Sequence, residues 1–168
     1  MAESSNLTAG MLLFDGNGLL KPPEAIPATL ELLEKEFVLS LGTVSRRKLF
    51  EKMVTYLQDL KNLVSEELEV WVNGSFVTKK ANPKDIDVVV FIPWQKAEQF
   101  SEELKKFSKP DVVENYGVDG YLVRVYEQKH KLHVLTRSDR VHWLFDFPRT
   151  QPNRSGKRFK KGFLEIKF

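Results

Sequence analysis

The 168-residue chain predicts an α+β domain of α/β-like character, a mixed β-sheet with helices packed on it. Three observations carry this. Strand-like runs alternate with amphipathic helical stretches. Ile86–Ile92 is almost continuously apolar, which suits a central strand covered on both faces. Residues 43–66 repeat apolar side chains at a spacing near 3.5, the pattern of one long helix.

The elements follow in order. Asp15-Gly16-Asn17-Gly18 is turn chemistry after the apolar patch Met11–Phe14, and it lacks the later ligands of a calcium loop. Pro22-Pro23 leads into a short helix over 28–37. Thr43 or Ser45 caps the long helix, whose stripe is Val44, Leu49, Met53, Leu57, Leu60 and Val64. Arg46, Arg47, Lys48, Lys52 and Lys61 fall on its other faces and read as solvated. Leu68–Asn73 is a strand, and a helix over 95–107 ends at Pro110. Tyr121–Tyr126 alternates as a strand does, 141–147 forms a short helix started by Ser138 or Asp139, and 162–168 closes the chain as a strand. No linker interrupts the chain. It reads as one domain, with a helical lead (1–66), a sheet core (67–128) and a basic C-terminal segment (129–168).

Composition excludes several classes. There is no cysteine, hence no disulfide, zinc–thiolate site or thiol nucleophile. No apolar run is long enough for a transmembrane helix, and Met1–Ser5 lacks the basic and apolar regions of a secretory signal. No membrane association is expected, and the cytoplasm is the expected location. Residues 129–168 carry eleven Lys/Arg against three Asp/Glu, a net of +8 within a chain of net +3. That asymmetry points to an anionic partner for the C-terminal quarter. His130 and His133, three apart with no third ligand, read as surface histidines rather than a zinc site.

The chemistry-bearing stretch is Val72-Asn73-Gly74-Ser75, nine residues, then Asp85-Ile86-Asp87-Val88. Side chains two apart on a strand share a face, so Asp85 and Asp87 project together while Ile86 and Val88 enter the core. Two like charges so placed repel unless a cation sits between them. A Gly-Ser turn beside them admits a phosphate, because Gly74 has no Cβ and Ser75 offers a hydroxyl and an N–H. Lys79, Lys80 and Lys84 lie in the intervening turn, within reach of a polyphosphate.

This stretch resembles the signature of the nucleotidyltransferase superfamily, the DNA polymerase β-like fold: Gly-Ser, a spacer of about nine to thirteen residues, then Asp-apolar-Asp entering a strand. The wider layout is similar to small, uncharacterised bacterial members, the minimal nucleotidyltransferases. The resemblance implies that Gly74 and Ser75, with Lys79 and Lys80, bind a nucleoside triphosphate, ATP being the expected one. It implies that Asp85 and Asp87 hold Mg²⁺ or Mn²⁺. The third carboxylate that the family adds is expected at Asp119, ahead of Glu114 and then Glu127. It further implies an RNA (a tRNA 3′ end among the options), protein or small-molecule acceptor, and a setting in toxin–antitoxin or defence systems, where a partner protein can complete the site. For an RNA acceptor the basic cluster Arg154, Lys157, Arg158, Lys160 and Lys161, interleaved with aromatics, is the expected contact surface. Phe76-Val77 after Ser75 departs from the family pattern. The alternative is a non-catalytic module of the same fold that binds nucleotide, RNA or a partner protein.

Overall fold

A five-stranded mixed sheet organises the molecule; the computed structural model describes residues 11–168. The expectation about Met1–Ser5 lies outside the described residues. The order of elements is β1 (Leu13–Phe14), β2 (Leu20–Lys21), β3 (Ala25–Pro27), α1 (Leu30–Glu34), a π-helical turn (Lys35–Leu39), α2 (Val44–Val64), β4 (Glu69–Asn73), a 3₁₀ turn (Ser75–Val77) and β5 (Asp87–Pro93). Then come α3 (Trp94–Gln99), a second 3₁₀ turn (Glu103–Phe107), α4 (Asp111–Tyr116), β6 (Asp119–Val125), α5 (His133–Asp146) and β7 (Phe163–Lys167). The sheet runs β3-β7-β4-β5-β6, with β3/β7 and β5/β6 parallel and β7/β4 and β4/β5 antiparallel. β1 and β2 form a separate hairpin. No described helix is long and apolar enough to cross a membrane.

β5 is covered on both faces, as its apolar run requires. Val88, Val90 and Ile92 join Val70 and Val72 against Met53, Leu57, Leu60 and Val64 of α2. Val89 and Phe91 face the other way, with Trp71, Val123, Phe147 and Phe163, beneath α5. The Thr43 hydroxyl caps α2 by accepting from Arg46 N–H, and Ser65 ends it in the left-handed region (φ 54°).

Several boundaries differ from the sequence-based expectation. The lead is not wholly helical: Asp15 Oδ1 accepts from the N–H groups of Asn17 and Leu19, tightening the β1–β2 turn, and β3 pairs with β7. The 95–107 helix is broken into α3 and a 3₁₀ turn, and α4 follows Pro110. α5 begins eight residues before the expected short helix. Arg46 is the largest reversal. Its guanidinium is wholly buried, because four carbonyls gather around it.

Candidate active site

Three adjacent strands end in polar residues at one edge of the sheet. Asn73 of β4 is registered with Asp87 of β5, and Asp87 with Asp119 of β6. By strand alternation all three point to the α5 side, the face of Trp71, Val89 and Val123, while Ile86 and Val88 are fully buried on the opposite face. Asp85 lies just ahead of the strand and is exposed.

A cavity of about 910 Å³ opens over this row. Gly74, Ser75, Lys79, Lys80 and Lys84 line it on the β4 side, and the β1–β2 turn at Asn17–Leu19 closes against them. Asp85, Asp87, Asp119 and Lys161 line its middle. Tyr121, Trp143 and Asp146 line the β6 and α5 side. Gly74 sits at φ 84°, ψ −172°, and a Cβ there would lie 2.7 Å from Asp87 Oδ2. Only glycine fits between the turn and the carboxylate.

The lip carrying Ser75–Lys80 is fixed from below by Arg46. Its Nη1 donates to the carbonyls of Phe37 (3.0 Å) and Phe76 (2.6 Å), and its Nη2 to those of Thr78 (2.7 Å) and Lys80 (2.5 Å). Thr78 Oγ1 also donates to the Ser75 carbonyl at 2.7 Å.

The electrostatics are those of crowded carboxylates. Asp87 is pushed up to about 7, first by burial, then by Asp119 and Asp85, with Lys161 opposing. Lys161 is buried, donates to Asn73 Oδ1, and is pushed down to about 8 by burial against the pull of Asp87 and Asp146. Asp119 is already engaged: Lys109 Nζ stands 2.5 Å from its Oδ1, and Tyr121 Oη donates to its Oδ2 at 3.3 Å. The Asp119 carboxylate, then Tyr121, holds the Lys109 ammonium above its ordinary range.

Of the expected residues, Gly74, Ser75, Lys79, Lys80, Asp85, Asp87, Asp119 and Lys161 share the cavity. Lys79 is partly committed, 3.6 Å from Glu36 and over the Phe14 ring. Lys161 leaves the expected acceptor surface, since its side chain turns inward just before β7. Arg154, Lys157, Arg158 and Lys160 stay exposed outside the cavity. Glu114 is exposed on α4, and Glu127 accepts from Gln95; neither reaches the site. His130 and His133 do not share a helix face: His130 precedes α5 and stacks on Tyr126, tilted against Trp94, and His133 Nδ1 meets the Tyr126 carbonyl. Sequence reasoning missed Asn73, Lys109, Tyr121, Trp143 and Asp146. Asn73 was legible as the residue before Gly74; the others are brought in by strand pairing and by α5.

Asp85 and Asp87 carry the hard oxygen donors that a divalent cation takes, and Asp87 is raised first by burial and then by Asp119 and Asp85. Among the described residues, no three His, Cys, Asp or Glu side chains gather as a metal-holding group. Asp119, the nearest third, is turned to Lys109. A cation held here would take Asp85 and Asp87 as donors, while Asp119 is paired with the half-exposed Lys109.

A family model, described as a family of unknown function (DUF6932), matches residues 12–167. No curated protein and no solved structure matches the chain.

Proposed function

We propose that this chain, which belongs to the family of unknown function DUF6932, has a nucleotidyltransferase fold and moves a nucleoside monophosphate from a nucleoside triphosphate to a hydroxyl. One observation carries the proposal: Asp87, crowded by Asp85 and Asp119, abuts a turn that only Gly74 can occupy, in a cavity also lined by Ser75, Lys80 and Lys84. That juxtaposition suits a polyphosphate on one side and a reacting hydroxyl on the other.

In this reading Gly74 admits the triphosphate, Ser75 donates to it, and Lys80 and Lys84 offset its charge. Asp85 and Asp87 would hold Mg²⁺ or Mn²⁺, which supplies Lewis-acid stabilisation of the phosphoryl oxygens when bound. Asp119, released from Lys109, orients the acceptor hydroxyl and takes its proton. The hydroxyl oxygen bonds to the α-phosphorus, the α–β bridging P–O bond breaks, and pyrophosphate leaves. Lys161, behind Asn73 and Asp87, keeps the carboxylate row from carrying its full negative charge into the fold. ATP is the proposed donor. The acceptor is an RNA, a protein or a small molecule.

The test is transfer of label from α-labelled nucleoside triphosphates, with Mg²⁺, into total RNA or lysate protein. Wild type labels an acceptor and Asp85→Ala/Asp87→Ala does not; equal labelling by both removes the proposal. A second reading has its own observation: the ion pair of Asp119 with Lys109 leaves two free carboxylates rather than three. On that reading the chain binds nucleotide or RNA without turnover, and binding persists with no transfer.

A further inference from the structure

α5 has two faces of different fates. Its inner face packs on the sheet through Thr136, Trp143 and the following Phe147. Its outer face leaves Val134, Val141 and Phe145 at 64%, 65% and 61% exposure. These stand at i, i+7 and i+11, one line along the helix. Leu135 and Leu144 flank the line, each about half exposed. Clustered exposed apolar side chains of this kind mark interaction surfaces.

The surroundings of the stripe are basic. Lys131 and Arg137 are exposed towards its N-terminal end. At the C-terminal end Arg149 lies 4.0 Å over the Phe145 ring, and the ion pair of Arg158 with Asp146 holds the basic 154–160 turn against the helix. Arg140 points inward, donating to Glu69 through Nη1 and Nη2. The carboxylates of the helix are Asp139, which is exposed, and Asp146, which is paired with Arg158.

We propose that the outer face of α5 docks an acidic amphipathic helix of a partner protein. A narrow line of apolar knobs, with Ser138 within it, is the width that one partner helix covers. The basic ends select an acidic partner and repel a second copy of the same face. The inference does not rest on the nucleotidyltransferase reading: of the residues named here Arg149 and Asp146 reach the cavity rim, while Val134, Leu135, Val141, Leu144 and Phe145 do not line it.

The test measures fluorescence anisotropy with two designed helical peptides, each with leucine at the first and fourth heptad positions, one carrying glutamate elsewhere and one lysine. The acidic peptide is expected to bind at least tenfold more tightly, and to weaken as salt rises. Val141→Asp and Phe145→Asp should each cut that binding tenfold or more while leaving circular dichroism unchanged, since both sites are exposed. Equal binding of the two peptides, or binding indifferent to the substitutions, overturns the proposal. So does a wild-type dimer in sedimentation that Val141→Asp dissolves, or preferential binding to phosphatidylcholine–phosphatidylserine vesicles.

Discussion

Gly74 and Asp87 face each other across the turn from β4 to β5 with no room for a methyl group between them: a Cβ on Gly74 would lie 2.7 Å from Asp87 Oδ2. The backbone at Gly74 (φ 84°, ψ −172°) belongs to a region essentially reserved for glycine. Gly74→Ala therefore meets two penalties. It should lower stability in urea by about 1–3 kcal/mol. It should also displace the carboxylate and reduce the proposed nucleotidyl transfer by about 100-fold. Full transfer activity in a destabilised Gly74→Ala protein would separate the turn from the chemistry.

Asp87 itself works against the fold. Burial, Asp119 and Asp85 raise its carboxyl from 3.8 to about 7. A raised carboxyl contributes stability that is fully present below its unfolded value and is lost as pH rises through the folded one. Wild-type stability should therefore fall between about pH 4 and pH 7. Asp87→Asn, neutral throughout, should be more stable than wild type at pH 7.5 by an amount on the order of 3 kcal/mol, with the difference vanishing at pH 4. Urea midpoints at the two pH values measure this. A pH-independent difference would assign the effect to packing instead.

These two residues also show what the sequence could disclose. Alternation along 85–92 was enough to separate Asp87 from Val88, because a strand has a fixed period of two. The Gly-Ser turn was legible for the same reason: it is local. Asp85 was expected on the same strand face as Asp87, but β5 begins only at Asp87 and Asp85 lies exposed ahead of it. Lys109, Tyr121 and Trp143 were not legible, because they arrive by the parallel pairing of β6 with β5 and by the packing of α5. Lys161 was legible as a basic residue in a basic run. Only the fold shows that it alone of that run turns inward, to Asn73. Arg46 misled for a similar reason. A charged residue on a helix is usually solvated, and nothing local reveals the four carbonyls that collect around this one.

Arg46 ties the Ser75–Lys80 lip of the cavity to α2, which gives it a measurable weight. Arg46→Met removes the donor from buried carbonyls of Phe37, Phe76 and Thr78 and from that of Lys80. Each stranded buried carbonyl costs about 1–3 kcal/mol, so a total loss of about 3–5 kcal/mol is expected after partial relaxation. Arg46→Lys should recover only part of it, since an ammonium has no planar fork and cannot span carbonyls on both sides. Denaturant titration of the three proteins checks the order. A lysine variant as stable as wild type would mean that charge alone holds the lip.

The Lys109 ammonium occupies Asp119. Lys109 Nζ lies 2.5 Å from Asp119 Oδ1 and donates to Tyr121 Oη at 2.7 Å, with its side chain 46% exposed. A cation at that oxygen excludes a divalent ion from it, both by occupying the lone pairs and by charge repulsion. If Asp119 completes the proposed site, removing the competitor must favour the metal. Lys109→Ala should bind Mn²⁺ more tightly by roughly tenfold, about 1.4 kcal/mol of relieved competition. Asp119→Asn should bind it more weakly than wild type, and Asp85→Ala/Asp87→Ala should not bind it. Isothermal titration with Mn²⁺ reads all four proteins without any need for an acceptor. Unchanged affinity in both Lys109→Ala and Asp119→Asn would leave the ion on two carboxylates, and that outcome favours nucleotide binding without turnover.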